Sequence, residues 1–242
     1  MKKLKVAWFS AGVSSLIATC LSSDVDHIIY IDIDDQHEDS MRFVQDSEKL
    51  LSKKIEILKS PLANVNNAIL QMGMISIPVA NTRIASCTKI LKHRPRKEWE
   101  QKYGNVKLEY IWGLDCSEVD RMDGIIKAMP DADHKFPLID KLLSKQDAHA
   151  LCQKYKVKRP YMYDLGYQNN NCIGCVKGGM GYFNKIRVDF PDYFNARAEV
   201  ERTVGHSCLK DKSGAVFLDK LDSSRGNFPK EIMQECSFFC QI

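Results

Sequence analysis

Apolar and polar positions fall into distinct blocks at the start of this chain. Residues 4–9, Leu-Lys-Val-Ala-Trp-Phe, form a short β-rich run that stops at a turn around Gly12, and a helical pattern follows over 14–21. A second run over 27–34, His-Ile-Ile-Tyr-Ile-Asp-Ile-Asp, is apolar enough to be buried on both faces. Met41, Phe43, Val44, Leu50 and Leu51 then recur at helical spacing and predict a helix over 38–51, ahead of a third strand over 55–58. Strand, helix, strand, helix, strand at this spacing predicts an α/β fold: a mostly parallel twisted sheet with helices on both faces.

Further along, the pattern predicts a helix over 65–72, a basic stretch over 83–97 and a fourth strand over 108–113. Ser144 and Asp147 have capping-box spacing and open a helix to about residue 155. Beyond Pro160 the chain reads as loop-rich, with Gly166, Gly174, Gly178, Gly179 and Gly181, and with Asn169, Asn170 and Asn171 beside Cys172; a last helix is predicted over 191–204. The expected organisation is a nucleotide-binding core over 1–160 with a cysteine-rich C-terminal region, 161–242, packed on it. Asp32, at the end of the second strand, is expected to face the ligand crevice. Asp35 and Glu38 read as first-turn helix charges favoured by the dipole. Trp99, Tyr103, Tyr110 and Trp112 read as core aromatics, and the six histidines as structural.

Composition narrows the class without choosing a function. The chain has 242 residues, 44% hydrophobic and 27% charged, which excludes disordered and fibrous classes. Its net charge of +4 is too small to argue for a polyanionic partner by itself. No stretch approaches ~20 apolar residues, so no membrane span is expected. The basic start runs into Ser-Ala-Gly without an apolar signal core, and the expected location is the cytoplasm. There, the clustered ones among the nine cysteines read as metal, cluster or catalytic thiols rather than disulfides.

Ser10, Ala11, Gly12, Val13, Ser14 and Ser15 lie where the first strand ends and a helix begins, the place where open α/β sheets receive phosphate. The loop is neither a Walker A motif nor a dinucleotide fingerprint. It resembles the PP-loop, Ser-Gly-Gly-x-Asp-Ser, of the adenine nucleotide α-hydrolase-like superfamily. The resemblance continues through Tyr30-Ile-Asp32, through Thr82-Arg83 with Cys87-Thr88-Lys89 and Leu91-Lys92, and through Trp112-Gly113-Leu114 with Glu118 and Arg121. Tyr163-Asp164-Leu165-Gly166-Tyr167 leading into Cys172-Ile-Gly-Cys175, and Glu235-Cys236-Ser237 near the end, complete it. The whole series is similar to the phosphoadenosine-phosphosulfate (PAPS) reductase family. Two departures stand out: Ala11 replaces the first loop glycine, and Ser14 stands where ATP pyrophosphatases carry an aspartate.

The resemblance implies an enzyme that binds PAPS, adenosine phosphosulfate or ATP and reduces or transfers sulfur. It assigns nucleotide contacts to loop residues 10–15, Asp32, Arg83, Lys89, Lys92 and Arg121, and catalytic thiolates to Cys87 and Cys236. Cys172 and Cys175 have metal-binding spacing, and Cys236 and Cys240 offer two more thiolates. Such a site holds a 4Fe–4S cluster or, alternatively, zinc, with Cys87 as a rival ligand; spacing does not separate the two. Cys20, Cys116, Cys152 and Cys208 read as small packing residues. A thiol electron donor is the implied partner. The rival readings are a PP-loop enzyme that modifies nucleic acid, gripped by residues 92–97 in the manner of DNA-phosphorothioation or tRNA-thiolation enzymes, and a nucleotide-binding module without chemistry. The sequence does not set the oligomeric state.

Overall fold

The computed structural model describes residues 3–79, 82–104 and 106–230. Cys236 and Cys240 lie outside the described residues. The strands are β1 (Lys3–Phe9), β2 (His27–Asp32), β3 (Glu56–Lys59), β4 (Ser76–Val79), β5 (Thr82–Ala85), β6 (Lys107–Ile111), β7 (Asp133–Lys135), β8 (Leu209–Asp211) and β9 (Gly214–Val216). The helices are α1 (Val13–Cys20), α2 (Asp39–Leu51), α3 (Val65–Met72), α4 (Arg94–Gln101), α5 (Val119–Ala128), α6 (Pro137–Asp140), α7 (Lys145–Lys154), α8 (Tyr161–Asp164), α9 (Met180–Asp189) and α10 (Pro191–Val204).

One five-stranded, wholly parallel sheet runs β3-β2-β1-β6-β7. The chain winds outward one way from β1 to β3 and returns on the other side of β1 with β6. This reversal creates a crevice beyond the carboxyl ends of β1 and β6, where such sheets bind ligands. Val6, Ala7, Trp8 and Phe9 are all buried, as are Ile28, Ile29, Tyr30 and Ile31, because helices cover both faces. One core layer joins Val6, Trp8, Ile29 and Ile31 to Trp99, Tyr110 and Trp112, and the other joins Ala7, Phe9 and Ile28 to α1 and α2.

Local signals account for most helix boundaries. Ser144 accepts from the Asp147 N–H, and Asp147 accepts from the Ser144 N–H at 2.9 Å, so the capping box is present. Asn64 caps α3 through its side chain, and Gly73, at φ 66°, ends that helix.

The structure corrects several expectations. The basic stretch over 83–97 is strand β5, a π-helical turn (Thr88–His93) and helix α4. Pro95 sits in the first turn of α4, where it lacks an N–H to give, and the wide turn precedes it. The segment beyond Pro160 is richer in helix than its glycines suggested. Gly181 lies inside α9, where a Cβ would stand 2.4 Å from the Phe228 backbone nitrogen. The glycine permits close packing there and does not mark a loop. Asp35 is not a helix-dipole charge. It is buried, accepts from the Val65 N–H at 2.6 Å, and stands 3.4 Å from Arg197 of α10.

The C-terminal part shares the main core, since Cys172, Val176 and Val200 pack with Val6 and Trp8. Asp39 of α2 holds its start by accepting from the Tyr161 N–H at 2.8 Å, and Arg42 donates to the Lys158 and Arg159 carbonyls just before it at 2.9 and 3.0 Å. Among the described residues no helix is long and apolar enough to cross a membrane.

Candidate functional site

The loop after β1 is held from three sides. Ala11 is fully buried at φ 55°, a left-handed conformation that glycine adopts freely and alanine does not. Ser15 Oγ donates to the Gly12 carbonyl at 2.8 Å and accepts from the Ser10 N–H at 3.2 Å. At the end of β6, Gly113 presses against the loop so closely that a Cβ would lie 2.6 Å from both the Ser15 Cα and nitrogen. Tyr163 accepts a long bond, 3.4 Å, from the Val13 N–H. Helix α1 begins at Gly12 without a side-chain cap. The Ser14 hydroxyl is buried with no hydrogen-bond partner among the described residues. A helix N-terminus with uncapped N–H groups and an unsatisfied hydroxyl is a setting for an anion.

The third support comes from the cysteine loop. Asn170 donates from Nδ2 to the Ala11 carbonyl at 2.8 Å and to Ser40 Oγ at 3.0 Å. Asn169, Asn170 and Asn171 are all buried, and the Ile173 N–H donates to the Asp35 carbonyl at 2.7 Å. A narrow cavity of ≈ 30 Å³ lies between the two loops, lined by Trp8, Ser10, Tyr30, Gln36, Lys92, Asn170, Asn171 and Cys172. Its volume corresponds to a few water-sized groups. The π-helical turn explains why Lys92 lines it while Lys89 is exposed to solvent. Three residues cover a smaller fraction of a π turn than of an α turn, so the two lysines diverge. Gln36 accepts from the Tyr30 hydroxyl at 2.6 Å and from the Ile33 N–H at 3.2 Å, which fixes that wall.

On the other flank of the loop a wider pocket of ≈ 640 Å³ is lined by Asp115, Ser144, Lys145, His149, Arg159, Tyr163 and Tyr167. Burial, with Arg159 and Lys145 nearby, holds the His149 imidazole down at about 4, so it is neutral at pH 7. Its ring meets Tyr163 edge-on, with centroids 4.6 Å apart.

Other expected contacts stand elsewhere. Asp32 faces Lys59 at 3.8 Å and does not line the narrow cavity. Arg83, on β5, donates to the Ser76 hydroxyl and carbonyl and lines a separate groove. Arg121, in the first turn of α5, pairs with Glu118 just before that helix. In the basic run, Arg94 pairs with Glu98 at 2.8 Å and Arg96 is buried against Glu100. The Asn169–Asn171 run and Gln36 were not singled out from sequence as site residues. Three consecutive asparagines beside a Cys-x-x-Cys were the available signal.

Cys172 and Cys175 are buried, and Cys87 is half-buried against the core layer that contains Cys172. The turn between the pair is set by Tyr182, whose hydroxyl accepts from the Cys175 N–H at 3.1 Å and donates to the Cys172 carbonyl at 3.3 Å. Among the described residues no three His, Cys, Asp or Glu side chains converge as the ligands of a single metal ion. Close by, Arg197 is 1% exposed, and its Nε and Nη1 have no hydrogen-bond partner among the described residues.

No protein-family model matches the chain. It is 25% identical over 205 residues to an uncharacterized protein of Methanocaldococcus jannaschii, a match that spans 79% of this chain and 40% of that protein. The chain thus covers less than half of that relative. Among solved structures, the chain is similar to the phosphate complex of a PAPS reductase from Candida auris, with a TM-score of 0.46 and 13% identity over 67% of this chain and 78% of that one. Neither likeness assigns a role to any residue here.

Proposed function

We propose that this chain is an enzyme that binds an adenine nucleotide at the loop after β1 and reduces or transfers sulfur through cysteine thiolates. PAPS and adenosine phosphosulfate are the leading substrates. One observation carries the reading: a single cavity is lined by the loop's Ser10, by Lys92 and by Cys172. An anionic phosphate or sulfate end beside Ser10 would meet Lys92 there. The Asn170–Ala11 bond holds the cysteine loop against it.

Cys172 and Cys175 would hold a metal centre, with Cys87, or with Cys236 and Cys240 from outside the described residues. The centre would be a 4Fe–4S cluster or zinc, and the buried Arg197 guanidinium with its unmatched N–H groups suits the negative charge of such a thiolate group. When bound, it would supply electrostatic stabilisation or electrons to the sulfur chemistry. A thiolate from Cys87 or Cys236 attacks the sulfur, the bond from sulfur to the phosphate oxygen breaks, and the nucleotide leaves a cysteine S-sulfonate; a thiol donor then attacks the cysteine sulfur, the sulfur–sulfur bond to the sulfonate breaks with release of sulfite, and the donor ends in a disulfide with the cysteine.

A second reading, a PP-loop enzyme acting on nucleic acid, is favoured by one feature. A groove of ≈ 590 Å³ between hairpins β4–β5 and β8–β9 is lined by Arg83, Lys177 and Lys210. Phosphodiester backbones bind such cations in a salt-dependent way.

Anaerobic incubation of the full chain with PAPS, adenosine phosphosulfate and ATP, each with a thiol reductant, tests the proposal. Sulfite release from a phosphosulfate is expected. AMP and pyrophosphate from ATP, without sulfite, would transfer the assignment to the second reading.

A further inference from the structure

The strand order reverses between β1 and β6, yet the narrow cavity is walled from β1 and β2, by Trp8, Ser10 and Tyr30. The ≈ 640 Å³ pocket lies on the β6 side instead. Asp115 and Ser117 reach it from just beyond β6, Lys145 and His149 from one face of α7, and Arg159, Tyr163 and Tyr167 from the segment leading to the cysteine loop. Crevices at such reversals receive ligands, and a volume of this order suits a small molecule. The reading of the nucleotide site makes no use of it.

Its polar groups suit a ligand of mixed charge. Asp115 is 4% exposed, and Oδ1 accepts from the Ser117 N–H at 2.9 Å and from the Ser117 hydroxyl at 2.5 Å. Oδ2 has no hydrogen-bond partner among the described residues. A carboxylate enclosed in a pocket wall with one oxygen unmatched calls for a donor. The cations come from other elements. Lys145 donates to the Asn169 side chain, and Arg159 gives Nε to Asp164 at 2.7 Å while its two Nη groups have no partner among the described residues. A guanidinium fork left open in this way takes a carboxylate. Neither ring nitrogen of His149 is hydrogen-bonded to a described residue, and the ring is neutral. The lining therefore carries one negative and two positive side chains. A phosphate or sulfate alone would satisfy the cations and leave Asp115 unmet.

We infer that this pocket binds an acidic α-amino acid or a short acidic peptide, a ligand with one ammonium and two carboxylates. The ammonium donates to Asp115, and the carboxylates meet Arg159 and Lys145. In a peptide, the amide groups also meet the Gln146 and Gln168 side chains that line the pocket. The site goes beyond the nucleotide reading and stands without it. Tyr163 joins the two: its ring meets His149 edge-on, and its hydroxyl accepts from the Val13 N–H of the nucleotide loop.

The test follows the His149 ring signals by proton NMR in the full chain at pH 7, identified by their loss in His149→Gln. L-glutamate, S-methylglutathione and glutarate are the probes, and the methylated sulfur keeps thiol chemistry out. A saturable shift is expected with L-glutamate or S-methylglutathione, at concentrations at least tenfold lower than with glutarate, which lacks the ammonium. A response to L-glutamate assigns a free amino acid, and a response to S-methylglutathione alone assigns a peptide. This comparison needs no altered residue in the pocket, so it stands even where a variant fails to fold. Asp115→Asn keeps the acceptor for Ser117 and should abolish the preference over glutarate. Arg159→Gln should weaken the response to every probe at least fivefold. No saturable shift with any probe, equal response to glutarate in the wild type, or an undiminished preference in Asp115→Asn overturns the inference. Displacement of bound L-glutamate or S-methylglutathione by adenosine 5′-phosphosulfate also overturns it, by assigning the pocket to the nucleotide.

Discussion

The side-chain amide of Asn170 donates to the carbonyl oxygen of Ala11 at 2.8 Å, across 159 positions of sequence. This buried bond joins the two loops that carry the proposed chemistry. It also reaches Ser40 at the start of α2. Asn170→Ala leaves the Ala11 carbonyl and the Ser40 hydroxyl without this donor, and the expected loss is about 1–3 kcal/mol in urea unfolding. Nucleotide affinity should fall about tenfold, as 1.4 kcal/mol of misplacement would give. Unchanged affinity in a folded variant would mean that the cysteine loop does not position the nucleotide loop.

Ala11 itself is held at φ 55° with no exposed surface. Ala11→Gly relieves left-handed strain but gives up a buried methyl and loosens the unfolded chain, effects of about 1 kcal/mol in opposite directions. Stability should therefore change little. Ala11→Val adds a β-branched side chain at positive φ in a filled core, and more than about 2 kcal/mol should be lost. Equal effects of the two substitutions would contradict the loop conformation.

Gly113 has no room for a side chain against the backbone of Ser15. Gly113→Ala should push β6 and the loop apart, with a stability loss of about 1–3 kcal/mol by overpacking and weaker nucleotide binding. Thermal unfolding and titration calorimetry of one preparation read both. A fully stable variant with native affinity would show that the contact gives way without consequence.

Lys92 and Lys89 separate two accounts of the basic segment. Lys92→Ala should weaken nucleotide binding at least tenfold, an effect of about 1.4 kcal/mol, because Lys92 lines the narrow cavity. Lys89→Ala, on an exposed side chain, should stay within about twofold. Equal losses would indicate a diffuse basic surface.

His149 makes stability fall in acid. Burial and two neighbouring cations depress its folded value to about 4, below the ordinary value of 6.5. Above pH 6.5 neither state binds the proton, and the full stability is present. As pH falls from 6.5 towards 4 the unfolded chain takes up a proton that the folded chain refuses, so stability declines by roughly 2–3 kcal/mol over that window. Urea unfolding of His149→Gln against the wild type should show a shallower slope there. Parallel profiles would contradict the assignment.

What the sequence made legible follows from where burial is two-sided. Residues 6–9 and 28–31 announce a covered parallel sheet because nearly every position is apolar. Strand β7, Asp-His-Lys, carries no such signal, since it is three polar residues paired only with β6. Helix α9 was hidden by the glycines at its start, of which Gly181 serves close approach to the backbone of 226–228. Asp35 shows the same limit: its partners, Val65 and Arg197, are 30 and 162 positions away. The loop after β1 and the Cys-x-x-Cys were visible as local motifs. Their junction through Asn170, Gln36 and Lys92 was not, because a polar side chain's partner across the fold leaves no periodic trace.

The central claim is that the nucleotide loop and the cysteine loop form one site. Trp8 lines the cavity between them, so its fluorescence reports occupancy. Titration of the full chain with adenosine 5′-phosphosulfate should give a saturable change that vanishes in Trp8→Phe and shifts at least tenfold to weaker binding in both Lys92→Ala and Asn170→Ala. No saturable change, or one that neither substitution at the cavity moves, would contradict the account.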